Sequence, residues 1–245
     1  SFYNKRFILP IITLFIAIMT FTQPLVARTI QFSGYTWEVK NFTTYKRGPG
    51  PNYFSDDKRN VWVDNRGNLH LRIEKWSGKW YCAEVYLQKD LGYGHYTFTV
   101  REFEERLDPN AVLGLFAYGG KNREIDVEIS YWGNPNSPNA TFALQPAHLE
   151  GHKDYFEVSI DESRTKFSFS WEQDYVEYWA KISKVNSERQ YTEPEFHWSQ
   201  SHSKHIPSAE ENLKTRINLW LFKGGPPENQ EEIEVVIEEF EFMSL

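Results

Sequence analysis

Apolar residues in this chain recur at every second position, segment after segment, with turn-forming residues between the segments. Successive side chains of an extended strand point to opposite faces, so this alternation marks strands with one buried and one exposed face. Leu69, Leu71 and Ile73 alternate with His70, Arg72 and Glu74, and Asn65-Arg66-Gly67-Asn68 turns the chain back from the segment 60–64 to form a hairpin. Tyr96, Phe98 and Val100 alternate with Thr97, Thr99 and Arg101, and Val112–Tyr118 is a nearly continuous apolar run that suits a buried central strand. About a dozen such segments can be counted, with no helical segment of any length and no internal repeat. The predicted fold is all-β, a two-sheet antiparallel β-sandwich in which the outer face of one sheet is free to be concave and hold a groove.

One segment carries more chemistry than the others. In Glu124-Ile125-Asp126-Val127-Glu128, with Ile129 following, three aliphatic residues point one way and three carboxylates the other. Paired carboxylates on a rigid element are what cleavage of a glycosidic bond requires, one as nucleophile or base and one as proton donor. The central Asp126 raises the proton affinity of its neighbours, which helps to keep one of them a carboxylic acid. Acid alternating with aliphatic also describes a plain strand with a solvated face. The stretch Glu232–Phe242 is similarly acidic and reads as such a strand. Gly119-Gly120-Lys121-Asn122 makes a tight turn before Glu124, so Val112–Tyr118 should lie antiparallel beside the carboxylates, with Phe116 and Tyr118 flanking them.

Other residues suit a sugar site. Aromatic residues make up 17% of the chain, and their faces stack on the C–H faces of pyranose rings, although all-β cores also favour them. In the strand-like run 80–88, Trp80, Cys82, Glu84, Tyr86 and Gln88 share one face, which suits a sugar-binding wall. The loop Lys46–Phe54, stiffened by Gly48, Pro49, Gly50 and Pro51, could present Asn52 and Tyr53 to a ligand or be an ordinary surface turn. In the strand 216–222, Ile217, Leu219 and Leu221 point inward, opposite Asn218, Trp220 and Phe222. Residues 182–209 are the least regular. His197, His202 and His205 there, and His148 with His152, match no familiar metal spacing.

The formal charge is −7. Such an acidic surface argues against nucleic acid and against anionic polysaccharides as partners, and favours a neutral glucan. Residues 1–27 read as a signal peptide, with Lys5 and Arg6 ahead of the apolar run Phe7–Phe21 and Ala27 at the expected cut. At about 15 residues that run falls short of the roughly 20 of a spanning helix. The expectation is a secreted or periplasmic protein with one catalytic domain, 28–245, monomeric and without stable membrane insertion. Cys82 is the only cysteine, so no intrachain disulfide forms, and it reads as a buried small hydrophobe.

The Glu124–Glu128 stretch resembles the active-site signature of glycoside hydrolase family 16, which includes licheninases and laminarinases. Trp80-Tyr81-Cys82-Ala83-Glu84, Gly92–Tyr96, Phe167–Trp171 with Val176–Ala180, and Asn218-Leu219-Trp220-Leu221 are similar to further family segments, in the family's order. The likeness covers most of 32–245 and sits closer to the licheninase side, because no extra residue bulges the carboxylate strand. It implies a concanavalin A-like jelly roll with an open cleft and a retaining mechanism, in which Glu124 is the nucleophile, Glu128 the acid/base and Asp126 the helper that holds the nucleophile. It also implies Asn52, Glu84, Trp132, Gln145 and Trp220 as cleft residues. No cofactor is required, and a structural calcium on the convex face is allowed. Tyr86 stands where licheninases carry an arginine, Gln145 where an aromatic is common, the licheninase disulfide is absent and the 186–210 region is longer. Geometry alone does not give retention: i and i+4 along a strand are about 13 Å apart at Cα, whereas a retaining pair needs carboxyls about 5–5.5 Å apart. A non-catalytic sugar-binding sandwich and a transglycosylase of the same family are the alternatives.

Overall fold

The computed structural model describes residues 26–101, 103, 106–159, 163–184 and 196–245. Residues 1–25, on which nearly all of the expected leader falls, lie outside them, as do 185–195 of the irregular region. In chain order the strands are β1 (Thr29–Phe32), β2 (Tyr35–Val39), β3 (Phe42–Arg47), β4 (Asn52–Phe54), β5 (Val61–Val63), β6 (Leu69–Trp76), β7 (Lys79–Leu87), β8 (Gly94–Val100) and β9 (Ala111–Tyr118). They continue as β10 (Glu124–Ser130), β11 (Ala140–Leu144), β12 (Lys153–Phe156), β13 (Ser163–Glu172), β14 (Tyr175–Lys184), β15 (Phe196–Ser201), β16 (Lys214–Leu221) and β17 (Ile233–Ser244). Two single 3₁₀ turns, Ala209–Glu211 and Phe222–Gly224, flank β16. No helix among the described residues is long and apolar enough to cross a membrane.

Two antiparallel sheets make the sandwich. The first runs β1-β2-β7-β16-β9-β10-β11-β12. The second runs β5-β6-β17-β8-β13-β14-β15. A small third sheet, β3-β4-β7-β6, closes one end, and its β4–β7 pair is parallel. The predicted architecture is therefore the observed one. The first strand splits into the hairpin β1–β2 at Ser33-Gly34, both at positive φ. The strand expected from Tyr155 begins at Lys153, and the irregular region contributes β15, whose polar sequence hides its alternation.

The inward residues read from the alternation meet between the sheets. Tyr96 stacks on Phe169 at 4.6 Å, Phe98 lies 5.1 Å from Phe240, and Trp37 of the first sheet meets Phe240 of the second edge-on at 5.3 Å. Aromatic pairs prefer such offset or edge contacts, and buried ring heteroatoms need partners. Trp37 Nε1 donates to Phe32 O, Trp171 Nε1 to Pro207 O, and Tyr178 Oη across the sandwich to Ala143 O. The last bond ties the second sheet to the strand beside β10. Cys82 is in this core, and burial pushes its thiol up to about 12, which leaves it inert as a nucleophile.

Candidate active site

β10 lies between β9 and β11 in the middle of the first sheet, with Ile125, Val127 and Ile129 buried in the sandwich. Their burial fixes the register, because a one-residue slip would turn all three toward the outer face. Glu124, Asp126 and Glu128 therefore face outward, into a cavity of about 430 Å³. The register builds its floor in rows. Asp126, Phe116, Arg216 and Tyr86 stand side by side on β10, β9, β16 and β7. The next row holds Glu128, Gly114, Asn218 and Glu84. Gly114 is required there: a Cβ at this position would lie 2.4 Å from Asn218 Oδ1. Its bare backbone leaves room between the carboxylate strand and the opposite wall.

Asp126 is 2% exposed, and Glu124 and Glu128 on either side of it are half-buried. Burial, reinforced by Asp126 and Glu128, holds the Glu124 carboxyl far above the usual range. Burial and the Asp126 charge do the same to Glu128. Asp126 is also raised by burial, but hydrogen bonds from Glu124 and from Gln145 limit the rise to about 6. All three carboxyls thus favour the protonated form more than a free carboxyl does, and a hydrogen bond joins Glu124 to Asp126. Gln145 Nε2 donates to Asp126 Oδ2 at 2.8 Å, while its own Oε1 accepts from Ala147 N.

Across the cleft stands Glu84, 1% exposed and fully engaged. Its Oε1 accepts from Arg216 Nη1 at 2.8 Å, and its Oε2 from Asn218 Nδ2 at 3.1 Å and Lys40 Nζ at 3.2 Å. Lys40 also donates to Gly48 O, which ties the Gly48–Pro49 rim to this network. The Arg216 guanidinium packs between the rings of Tyr86, 4.8 Å away, and Tyr118, 5.3 Å away. Two polar atoms here are buried without a partner, Arg216 Nε and Asn218 Oδ1, one donor and one acceptor. Unpaired buried groups are costly.

Of the expected cleft residues, Glu84, Phe116, Tyr118, Asn218 and Trp220 line the cavity with the three carboxylates. Trp132 stands behind Trp220, with ring centres 6.2 Å apart, and meets Phe222 at 5.5 Å. Its φ of 53° is unusual for a bulky residue and is stabilised by Ser130 Oγ, which accepts from Trp132 N. Gln145 acts through Asp126, and Tyr86 through Arg216 and through the hydrogen bond its hydroxyl donates to Glu38. Like Trp132, Gln145 and Tyr86, three further expected residues lie outside the cavity lining. Asn52 is buried and spends its amide on Pro49 O and Leu221 O, so it braces the rim loop. Tyr53 lies against Tyr81, with Lys46 and Lys79 over its ring. Trp80 packs against the core because β7 exchanges partners at this point. It pairs with β6 and β4 up to Cys82 and with β16 from Ala83, and both Cys82 and Ala83 face the core. The inside–outside phase slips there and separates Trp80 from Glu84.

Gly48 and Pro49 of the stiff loop also line the cavity, as do Lys40, Gly114 and Arg216, which the sequence pattern does not single out. The signal for Arg216 was present, since it shares a strand face with Asn218 and Trp220. Lys40 follows the end of β2 and had no such signal. Among the described residues no group of three or more His, Cys, Asp or Glu could hold a metal ion. His197 pairs with Glu177, and His152 Nδ1 contacts Leu144 O.

Compared by sequence, the chain matches no family model and no curated protein. Compared by structure, it matches solved β-glucanases over most of their length. The Bacillus licheniformis β-glucanase aligns with a TM-score of 0.61 at 16% identity, over 85% of this chain and 92% of that one. A β-1,3-1,4-glucanase (lichenase) from a mouse hindgut metagenome aligns with a TM-score of 0.60 at 17% identity, over 85% and 93%. A Mycobacterium tuberculosis protein described as an immunostimulatory antigen and pseudo β-1,3-glucanase aligns with a TM-score of 0.61 at 19% identity, over 85% and 91%. The chain has the β-glucanase jelly roll, a fold of the glycoside hydrolase family 16 type, as its sequence resemblance implied.

Proposed function

We propose that the chain is a secreted retaining endo-glycosidase that hydrolyses β-glucosidic bonds of a neutral polysaccharide, a β-1,3/1,4- or β-1,3-glucan. One observation carries the reading. Three carboxylates on a single strand line a cavity of saccharide size, their proton affinities are raised by burial, and two of them are hydrogen-bonded to each other. A strand that served only as a wall would gain nothing from this repulsion.

In the proposed reaction a Glu124 carboxylate oxygen attacks the anomeric carbon, and Glu128 gives its proton to the departing glycosidic oxygen. The C–O bond to the leaving chain breaks as the glycosyl–Glu124 ester forms. Glu128, now a carboxylate, takes a proton from water, whose oxygen attacks the same carbon and frees Glu124. Two inversions give net retention. Asp126, steadied by Gln145, hydrogen-bonds Glu124 and yields that bond as the nucleophile's charge changes. Trp220 offers a face for sugar stacking. A transglycosylase would use the same groups with a sugar hydroxyl in place of water.

The fold does not decide activity by itself, because one protein that shares it is described as a pseudo-glucanase. The test is reducing-end release from lichenan, barley β-glucan, laminarin, agarose and carrageenan, with the anomer of the first product read by NMR. Cleavage of one neutral β-glucan with a β-configured first product supports the proposal. An α-configured product would overturn retention. A glucan that retards the protein on an affinity gel without being cut would favour a sugar-binding sandwich.

A further inference from the structure

The charge balance of the cleft singles out a residue that the proposed reaction has not yet used. Lys40 and Arg216 bring two positive charges to one wall and Glu84 returns one negative charge, so the trio carries a surplus of +1. The trio is largely buried, with side-chain exposures of 12% for Lys40, 21% for Arg216 and 2% for Glu84. A buried net charge is unfavourable unless an opposite charge faces it. The facing group is the carboxylate strand. Double displacement needs one ionised carboxylate there, with Glu128 protonated and a proton held between Glu124 and Asp126. One negative charge on the strand cancels the surplus of one on the wall.

Of the two cations, Arg216 is the one placed to act on Glu124. Lys40 is committed to Glu84 and Gly48 O. Arg216 gives Nη1 to Glu84, its Nε is buried without a partner, and its guanidinium lies on the ring of Tyr118, the direct cross-strand partner of Glu124. The other charged or titratable groups around Glu124 are engaged elsewhere. Lys214, on the far side of Tyr118, pairs with Asp90 and Gln88 O. Arg123 turns back to Gly119 O and Glu211, and Tyr86 donates to Glu38. Asp126 and Glu128 on its own strand oppose its ionisation, and Arg216 is the cation that favours it.

We infer that Arg216 is a positioning residue of the catalytic apparatus: clamped by Glu84 and packed between Tyr86 and Tyr118, it supplies the positive charge that balances Glu124 as an ionised nucleophile. The inference rests on the proposed roles of Glu124 and Glu128. It also accounts for a buried acid, Glu84, whose two oxygens fix Arg216 and Asn218 in place.

The test is the pH dependence of kcat/KM for wild type, R216Q and R216K on the glucan that wild type cleaves. An opposite charge nearby lowers a carboxyl pKa, by less when it is not in direct contact. Loss of the cation in R216Q should therefore move the acidic limb upward, by about half to one pH unit, with much of the activity regained at higher pH. R216K, which keeps the charge, should restore most of the wild-type limb. A uniform loss at every pH, with the limb unmoved, would show that Arg216 only supports the wall and would overturn the inference. If R216Q does not fold, E84Q reads the same balance with the opposite sign. Both cations then remain with one acid fewer, so the limb should move downward, and an unmoved limb again refutes the idea. The free protein gives an independent reading through 13C NMR titration of the labelled Glu124 carboxyl, which needs no turnover. A wild type that cleaves no glycan would defeat the functional proposal, while this titration would still decide the role of Arg216.

Discussion

Two strands of this molecule carry nearly the same alternation of acid and aliphatic, and their surroundings give them opposite chemistry. On β17, Glu234 meets His70 Nδ1 at 2.8 Å and Arg72 Nε at 2.9 Å, and Glu238 meets Arg101 Nε at 3.0 Å and Arg164 Nη2 at 2.9 Å. Glu241 lies 3.6 Å from Lys166. Partial burial would raise the Glu238 carboxyl, but its two arginines outweigh that and hold it below its ordinary value. On β10 no cation bonds the three acids, burial dominates, and all three are pushed up. The neighbouring strands make the difference. β17 runs between β6 and β8, which supply His70, Arg72 and Arg101, with β13 beyond. β10 runs between β9 and β11, whose facing residues are Phe116, Tyr118, Gly114, Ala143 and Thr141. The strands directly beside β10 withhold counter-charge, which raises its acids, and the balancing cation, Arg216, stands two strands away on β16.

The comparison breaks first on activity. Glu124→Ala and Glu128→Ala should each lower kcat/KM by about 10⁴-fold or more, since each removes a nucleophile or proton donor. Glu238→Ala on β17 should leave kcat/KM within about twofold, because surface-network changes far from the chemistry act on stability alone. Comparable losses from the two strands would mean that activity follows folding, and the catalytic assignment would fall.

Stability should then separate the strands by the sign of its pH dependence. The β10 acids have raised folded-state pKa values, so their contribution is fully present below the unfolded value and is lost as pH rises above about 4. Glu128→Gln should therefore be more stable than wild type at pH 7, with the gap closing near pH 4. Glu238 has a lowered pKa, so its contribution is present above the unfolded value and is lost as pH falls through the folded one. Glu238→Gln should be less stable at pH 7 by about 1 kcal/mol, with that gap also closing in acid. Urea unfolding of both variants between pH 4 and pH 8 makes the measurement, and shifts of the same sign would erase the distinction.

Much of this is legible in the sequence. Period-two alternation gave the sheets, and the turn at Gly119–Asn122 placed Phe116 and Tyr118 beside the carboxylates. The rest depended on partners that sequence pattern does not name. Trp80 was misplaced because alternation assumes one uninterrupted strand, whereas β7 changes sheets between Cys82 and Ala83. Asn52 has the look of a ligand-binding amide, but its two donors are consumed by carbonyls, one of them 169 residues away. An acidic chain concealed two cations in its cleft, because net charge carries no position. One of the two, Arg216, stands directly opposite Tyr86 on the neighbouring strand, a pairing that only the register reveals.

Smaller effects should grade the wall opposite β10. Gly114→Ala puts a methyl group where Asn218 Oδ1 now lies, at 2.4 Å, so Asn218 must swing away from Glu84 or from the substrate. Misplacement on this scale costs about 10²-fold in kcat/KM, and it should appear without a large change in the acidic limb, since Arg216 keeps its own bond to Glu84. Trp220→Ala removes a stacking face that binds ground state and transition state alike, so KM should rise about tenfold while kcat holds, equivalent to about 1.4 kcal/mol. Trp132→Ala should do less, about two- to threefold, because Trp132 only backs Trp220 edge-on. Steady-state kinetics on the three variants orders them. A Trp132 effect exceeding that of Trp220 would mean that the sugar stacks on Trp132 itself, and the cleft would then extend past Ser130 toward the Trp132–Gly133 turn.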